Sequence, residues 1–219
     1  MGLRDIMLGD AQGKTAWQRL KDGWNQSRAE ETWNKQFNRA YNPLGLRPGD
    51  VVEVGFLEQT GFVVDMVLWF HSPHGDPDYA RYGLKRMEAS DIVLLEVMPG
   101  VGDEPRTVSL FELVDDFALD ENLLGVLDEE EVLQRSVDQG DGHTQQMDFA
   151  KEFVSEAAVH IFGENNEHRE ARIFTYNYFR EDEQGEHYLA VEVVEQAEWM
   201  NFYLGKRVDE ADILALGTA

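Results

Sequence analysis

The sequence predicts an α+β protein: a helical N-terminal arm over residues 1–46 and a mainly antiparallel β body of meanders over 47–219, ending in a short helix. Three observations predict it. Before residue 42 the large apolar residues recur at helical spacing. After residue 50 they alternate with polar residues in short runs, the signature of strands with two unlike faces. Between the two lies NPLGLRPGD, where Asn42-Pro43 ends the helical region because a residue before proline is pushed out of the α conformation.

The arm holds Trp17, Leu20 and Trp24, then Trp33, Phe37 and Tyr41. At about 100° per residue the two sets point to nearly opposite sides, so one straight helix would not bury both. Gly23 and Asn25-Gln26-Ser27 separate them, and Ser27 with Glu30 forms a capping-box pattern. Two helices, or one kinked near residues 24–28, are expected. The tryptophans either anchor the segment on the β body or present Trp17, Trp24 and Trp33 to a partner or a membrane interface.

In the body, strands are expected over residues 51–54, 60–70, 80–89, 92–98 and 106–114. A short helix is expected over 126–137, acidic at its start where the helix dipole favours it, followed by a loop over 138–143. Residues 145–162 read equally as helix or strand. From 171 to 208 three runs dense in aromatic and β-branched residues form a meander, and residues 210–216 read as a short closing helix. The segments 50–114 and 171–208 resemble each other as two meanders: the step from Phe70 to Ile92 parallels the step from Phe179 to Trp199.

With 219 residues and 42% apolar content the chain can bury a substantial core. It has no cysteine, so no disulfide framework or thiolate metal site. The longest strongly apolar run, 62–70, contains Asp65 and is far short of a spanning helix. No leader pattern opens the chain. These features together predict a cytoplasmic protein.

The net charge of −24 is segregated. Residues 1–49 hold eight Lys and Arg against five Asp and Glu, whereas 50–219 hold eleven against thirty-eight. No basic residue lies between Thr107 and Gln134, a span that includes Glu112, Asp115, Asp116, Asp120 and Glu121. Such a body repels nucleic acid and anionic lipid, whose recognition depends on Lys and Arg. It is a solvated acidic surface, a docking face for a basic protein, or a mimic of nucleic acid.

The most site-like stretch is His71-Ser-Pro-His74-Gly-Asp76-Pro-Asp78, whose two imidazoles and two carboxylates are donors that a divalent metal accepts. Pro73, Gly75 and Pro77 also mark it as an ordinary turn-rich loop. His143, His160, His168 and His187 are scattered and read as surface or core histidines. No GxGxxG, GxxxxGK[ST] or GxSxG motif occurs, so no cofactor or catalytic residue is nominated.

Two patches are similar to a known family. Asn42-Pro-Leu-Gly-Leu-Arg-Pro-Gly-Asp50, the tyrosine-rich strand ending in Arg180, HYLAVEVVE and YLGKRVDEADILAL resemble the YjfK-like bacterial proteins, a family of unknown function. The resemblance implies a bacterial protein associated with envelope stress and membrane-remodelling partners, and it implies no catalytic residues. The expectation is therefore a non-enzymatic adaptor or regulator that binds another protein through its acidic face or aromatic arm. A metal-dependent enzyme using His71, His74, Asp76 and Asp78 is the alternative from another class.

Overall fold

The computed structural model describes residues 26–55, 61–86, 92–100, 102–138, 144–183, 185–194 and 197–218. Trp17 and Trp24 lie outside the described residues, and the break expected near 24–28 falls at their edge.

Helix α1 (Gln26–Phe37) leads into β1 (Asp50–Val54), and β2 (Phe62–His71), β3 (Tyr79–Arg86), β4 (Ile92–Met98) and β5 (Thr107–Ala118) follow as an antiparallel meander. Helix α2 (Glu121–Glu129) leads into β6 (Val132–Asp138). A second meander then runs through β7 (Thr144–Gly163), β8 (His168–Asp182), β9 (Gly185–Val194) and β10 (Trp199–Arg207), and β11 (Ile213–Thr218) returns to pair with β1. β5 pairs with β10 and β2 with β7, so these eight strands close into a barrel ordered β2-β3-β4-β5-β10-β9-β8-β7. β1 and β11 extend one side of it and β6 the other.

The alternation of side chains along each strand divides the core into three parts. Inside the barrel pack Met66, Leu68 and Phe70 of β2, Leu94, Phe111, Val159, Ile161, Ile173 and Tyr203. The outer face of the first meander, including Tyr82, Leu84, Leu95 and Val97, is covered by Trp33 and Phe37 of α1 and by Val52 and Val54 of β1. The outer face of the second, including Tyr178, Val191 and Phe202, is covered by Leu127 of α2 and by Met147 and Phe149. A bulge between Val64 and Met66 shifts the pleat of β2, so Val64 and Val67 both face outward while Met66 and Leu68 face the interior.

Trp33 is a buried anchor, not a surface available to a partner. It stacks on Phe37 with ring centroids 4.6 Å apart and meets Phe162 edge-on, and its indole Nε1 donates to the Glu167 carbonyl at 3.1 Å. Two further expectations are corrected, and one segment open between helix and strand is decided. The acidic helix ends at Glu129, where the continuing apolar alternation of Val132 to Val137 makes a strand. Residues 144–163 form one long strand. The closing helix is only a 3-10 turn at Glu210–Asp212, after which Ile213–Thr218 is drawn into the sheet by pairing with β1.

The order of elements recurs along the chain, with a correspondence offset by one strand from the pairing that sequence suggests. Helix plus five strands occurs twice, so β2 matches β7 rather than β8. Arg81, Glu96 and Ser109 lie opposite one another across β3, β4 and β5. Thr175, Glu192 and Asn201 do the same across β8, β9 and β10. These six are the buried polar and charged residues among the described positions, and Glu96 and Glu192 occupy matching places in the two halves.

Candidate functional site: a cavity above a buried ion triad

The central feature of the polar layer is Arg81. Its Nε donates to Glu96 Oε2 at 2.6 Å and its Nη1 donates to Glu192 Oε1. The guanidinium also lies over the rings of Phe70, at 4.9 Å from the centroid, and Phe111, at 5.4 Å. One guanidinium thus serves two buried carboxyl groups. Burial holds the Glu192 carboxyl above the usual carboxylate range even with Arg81 beside it.

Glu96 is the triad member that reaches a cavity of about 350 Å³ at one mouth of the barrel. Tyr79 and Asn177 join it in the wall, Asp76 and Pro77 come from the β2–β3 loop, and Phe153 to Ala157 of β7 form the rim. Among the described residues no Lys or Arg lines this cavity. Glu156 is shared between Arg172 Nε at 3.2 Å and His74 Nε2 at 3.7 Å. The Ser72 hydroxyl donates to Asp76 at 2.9 Å.

The rim is also a gap in the barrel wall. β8 pairs with β7 along almost its whole length. On the other side β6 pairs with residues 144–150 and β2 with residues 158–163. Among the described residues no strand pairs with 152–157 on that side. A bulge between Lys151 and Phe153 sits at the start of this gap. Phe153 and Val154 are 44% and 51% exposed, two large apolar side chains in succession.

The donors nominated from sequence do not converge as one group. His71 Nδ1 and Asp78 Oδ1 are 2.8 Å apart, and Asp78 Oδ2 accepts from Trp69 Nε1 at 2.8 Å, so this pair orients an indole. His74 faces Glu156, and Asp76 faces Ser72. Among the described residues the group with donor atoms within reach of one another is His160, His168 and Glu170. Sequence reasoning missed it because the register that sets His160 opposite Glu170 depends on the 3-10 turn at Glu164–Asn166.

The acidic run is likewise divided. Glu112 and Asp115 lie on β5, where the fold brings Arg86 to within 3.8 Å of the first and Arg135 to within 3.3 Å of the second. Asp116 follows on the same strand and its N–H donates to Asp115 Oδ1. Asp120 caps α2, accepting from the N–H groups of Asn122 and Leu123, and Glu121 occupies the first turn. The sequence signal for the triad was an acid in the middle of an apolar strand, twice: Leu95-Glu96-Val97 and Val191-Glu192-Val193. No helix among the described residues is long and apolar enough to cross a membrane. Compared with family models, curated proteins and solved structures, the chain matches none of them.

Proposed function

We propose that the protein is a non-enzymatic binding protein that takes an extended, basic segment of a partner protein at the mouth of its barrel. The supporting observation is the edge of β7 at 152–157, unpaired among the described residues and set beside a cavity that carries Asp76, Glu96 and Glu156 and, among those residues, no Lys or Arg. An unpaired edge offers N–H and C=O groups to a further strand, and pockets beside it select alternate side chains. Six residues of strand span about 20 Å, so the contact is short and the side chain entering the cavity contributes much of the specificity. A cationic head on an apolar stem, as in Arg or Lys, fits carboxylates flanked by Phe153, Val154 and Met98. Glu152 and Glu156 on the same edge disfavour pairing between two copies of this chain, because like charges would meet.

The experiment is a calorimetric titration of the full chain with an eight-residue peptide alternating Arg and Thr. The controls are its Glu/Thr counterpart and a version N-methylated at alternate residues. The proposal expects binding of the first peptide alone, weakened by Phe153→Ser. Equal binding of the N-methylated peptide would rule out strand addition.

A further inference from the structure

Independently of the mouth of the barrel, we infer that His160, His168 and Glu170 form a binding site for a divalent transition metal, with zinc as the best-matched ion. His160 lies on β7, and His168 and Glu170 lie on β8, at the end of the hairpin these strands share. His160 Nδ1 is 3.3 Å from His168 Nε2 and 3.4 Å from Glu170 Oε1. A tetrahedron built on metal–ligand bonds of about 2.0–2.1 Å has edges of about 3.3–3.4 Å, so these separations match two edges of such a site. Two imidazoles and one carboxylate also suit zinc and its neighbours better than calcium or magnesium. Three protein ligands leave the fourth position open to solvent.

The rings are held by what surrounds them. Trp69 stacks on His160 with centroids 4.7 Å apart, and that indole is itself fixed by its bond to Asp78. Phe162 stacks on His168 at 4.9 Å. The turn between the two strands is tied down because the Glu167 carbonyl accepts from Gly163 N–H at 2.9 Å and from Trp33 Nε1. Orientation of first ligands by such outer contacts is what functional metal sites need. Without a metal, a proton on His160 Nδ1 can be accepted by His168 Nε2 or by the Glu170 carboxylate, whereas a cation would engage all three donor atoms together.

The test is a titration of the full chain, stripped with chelator, with zinc chloride followed by calorimetry. Cobalt chloride serves as a visible-absorption probe of coordination number. One equivalent of zinc is expected to bind, and cobalt should show the intense absorption of a four-coordinate site. Glu170 has a side chain 64% exposed, so Glu170→Gln tests ligation without disturbing the fold. It should weaken binding at least by the roughly tenfold that even an outer-shell partner commands. His168→Gln should abolish binding, whereas His74→Ala should bind as the parent does, because His74 faces Glu156 at the barrel mouth. Absence of stoichiometric zinc binding by the parent would overturn the inference. So would unchanged affinity in Glu170→Gln, or loss of binding in His74→Ala.

Discussion

Replacing Arg81 by Met should damage the protein in a way that depends on pH. The substitution keeps the length of the stem but leaves Glu96 and Glu192 inside the barrel without their cation. Breaking a buried pair from one side costs about 3–5 kcal/mol, and the contacts of the guanidinium with Phe70 and Phe111 are lost as well. For a domain of this size that corresponds to a fall in Tm on the order of 10 °C. With the cation gone, burial would hold the Glu192 carboxyl still further above the unfolded value of about 4.3, so the native variant would bind more protons than the unfolded chain. Its stability should then decline as pH rises through the raised native value and recover as pH falls toward the unfolded value, by up to about 1.4 kcal/mol per pH unit for the proton involved. Burial already gives Glu192 a shift of the same sign in the parent. Urea unfolding between pH 5 and 8 measures this. The Arg81→Met/Glu96→Gln/Glu192→Gln triple variant should lose most of the pH dependence. A loss below about 1 kcal/mol for Arg81→Met, equal at pH 5 and pH 8, would refute the role given to the triad.

Other substitutions test the packing around it. A Cβ on Gly205 would come within 2.5 Å of the Phe111 ring, while one on Gly83 would meet the flexible Met66 side chain at 2.8 Å. Gly205→Ala should therefore cost about 1–3 kcal/mol in urea unfolding, and Gly83→Ala measurably less. The Tyr203 hydroxyl is buried with no hydrogen-bond partner among the described residues, so Tyr203→Phe should leave stability unchanged or raise it, as thermal unfolding would show. Asp120→Ala should cost about 1 kcal/mol through the lost cap of α2, and Asp120→Asn close to nothing, by the same measurement.

The β body was legible in the sequence because the period of two is local: β2, β3, β4, β8, β9 and β10 all carry it in their own residues. The closing helix was misread because Glu210-Ala211-Asp212 does start a helical turn, and only the partner strand 160 residues earlier makes Ile213–Thr218 extended. Long-range pairing also hid the barrel, since nothing in β2 or β7 alone says that they meet. The site was less legible than the fold. Glu96 and Glu192 could be flagged as acids inside apolar strands, but Arg81, which explains them, sits in YARYGLKR among residues that read as an ordinary two-faced strand. The acidic run looked uniform along the chain because its cations, Arg86 and Arg135, come from β3 and β6.

The most direct measurement is amide hydrogen exchange of the full chain with and without the Arg/Thr peptide. In the free protein, alternate amides of residues 152–157 should exchange faster than those of 158–163, which β2 covers. With peptide bound, those alternate amides should become protected, while α2 and the β5 segment carrying Glu112, Asp115 and Asp116 stay unchanged. Protection confined to residues 112–131, or no new protection at 152–157 under saturating peptide, would contradict binding at the barrel mouth.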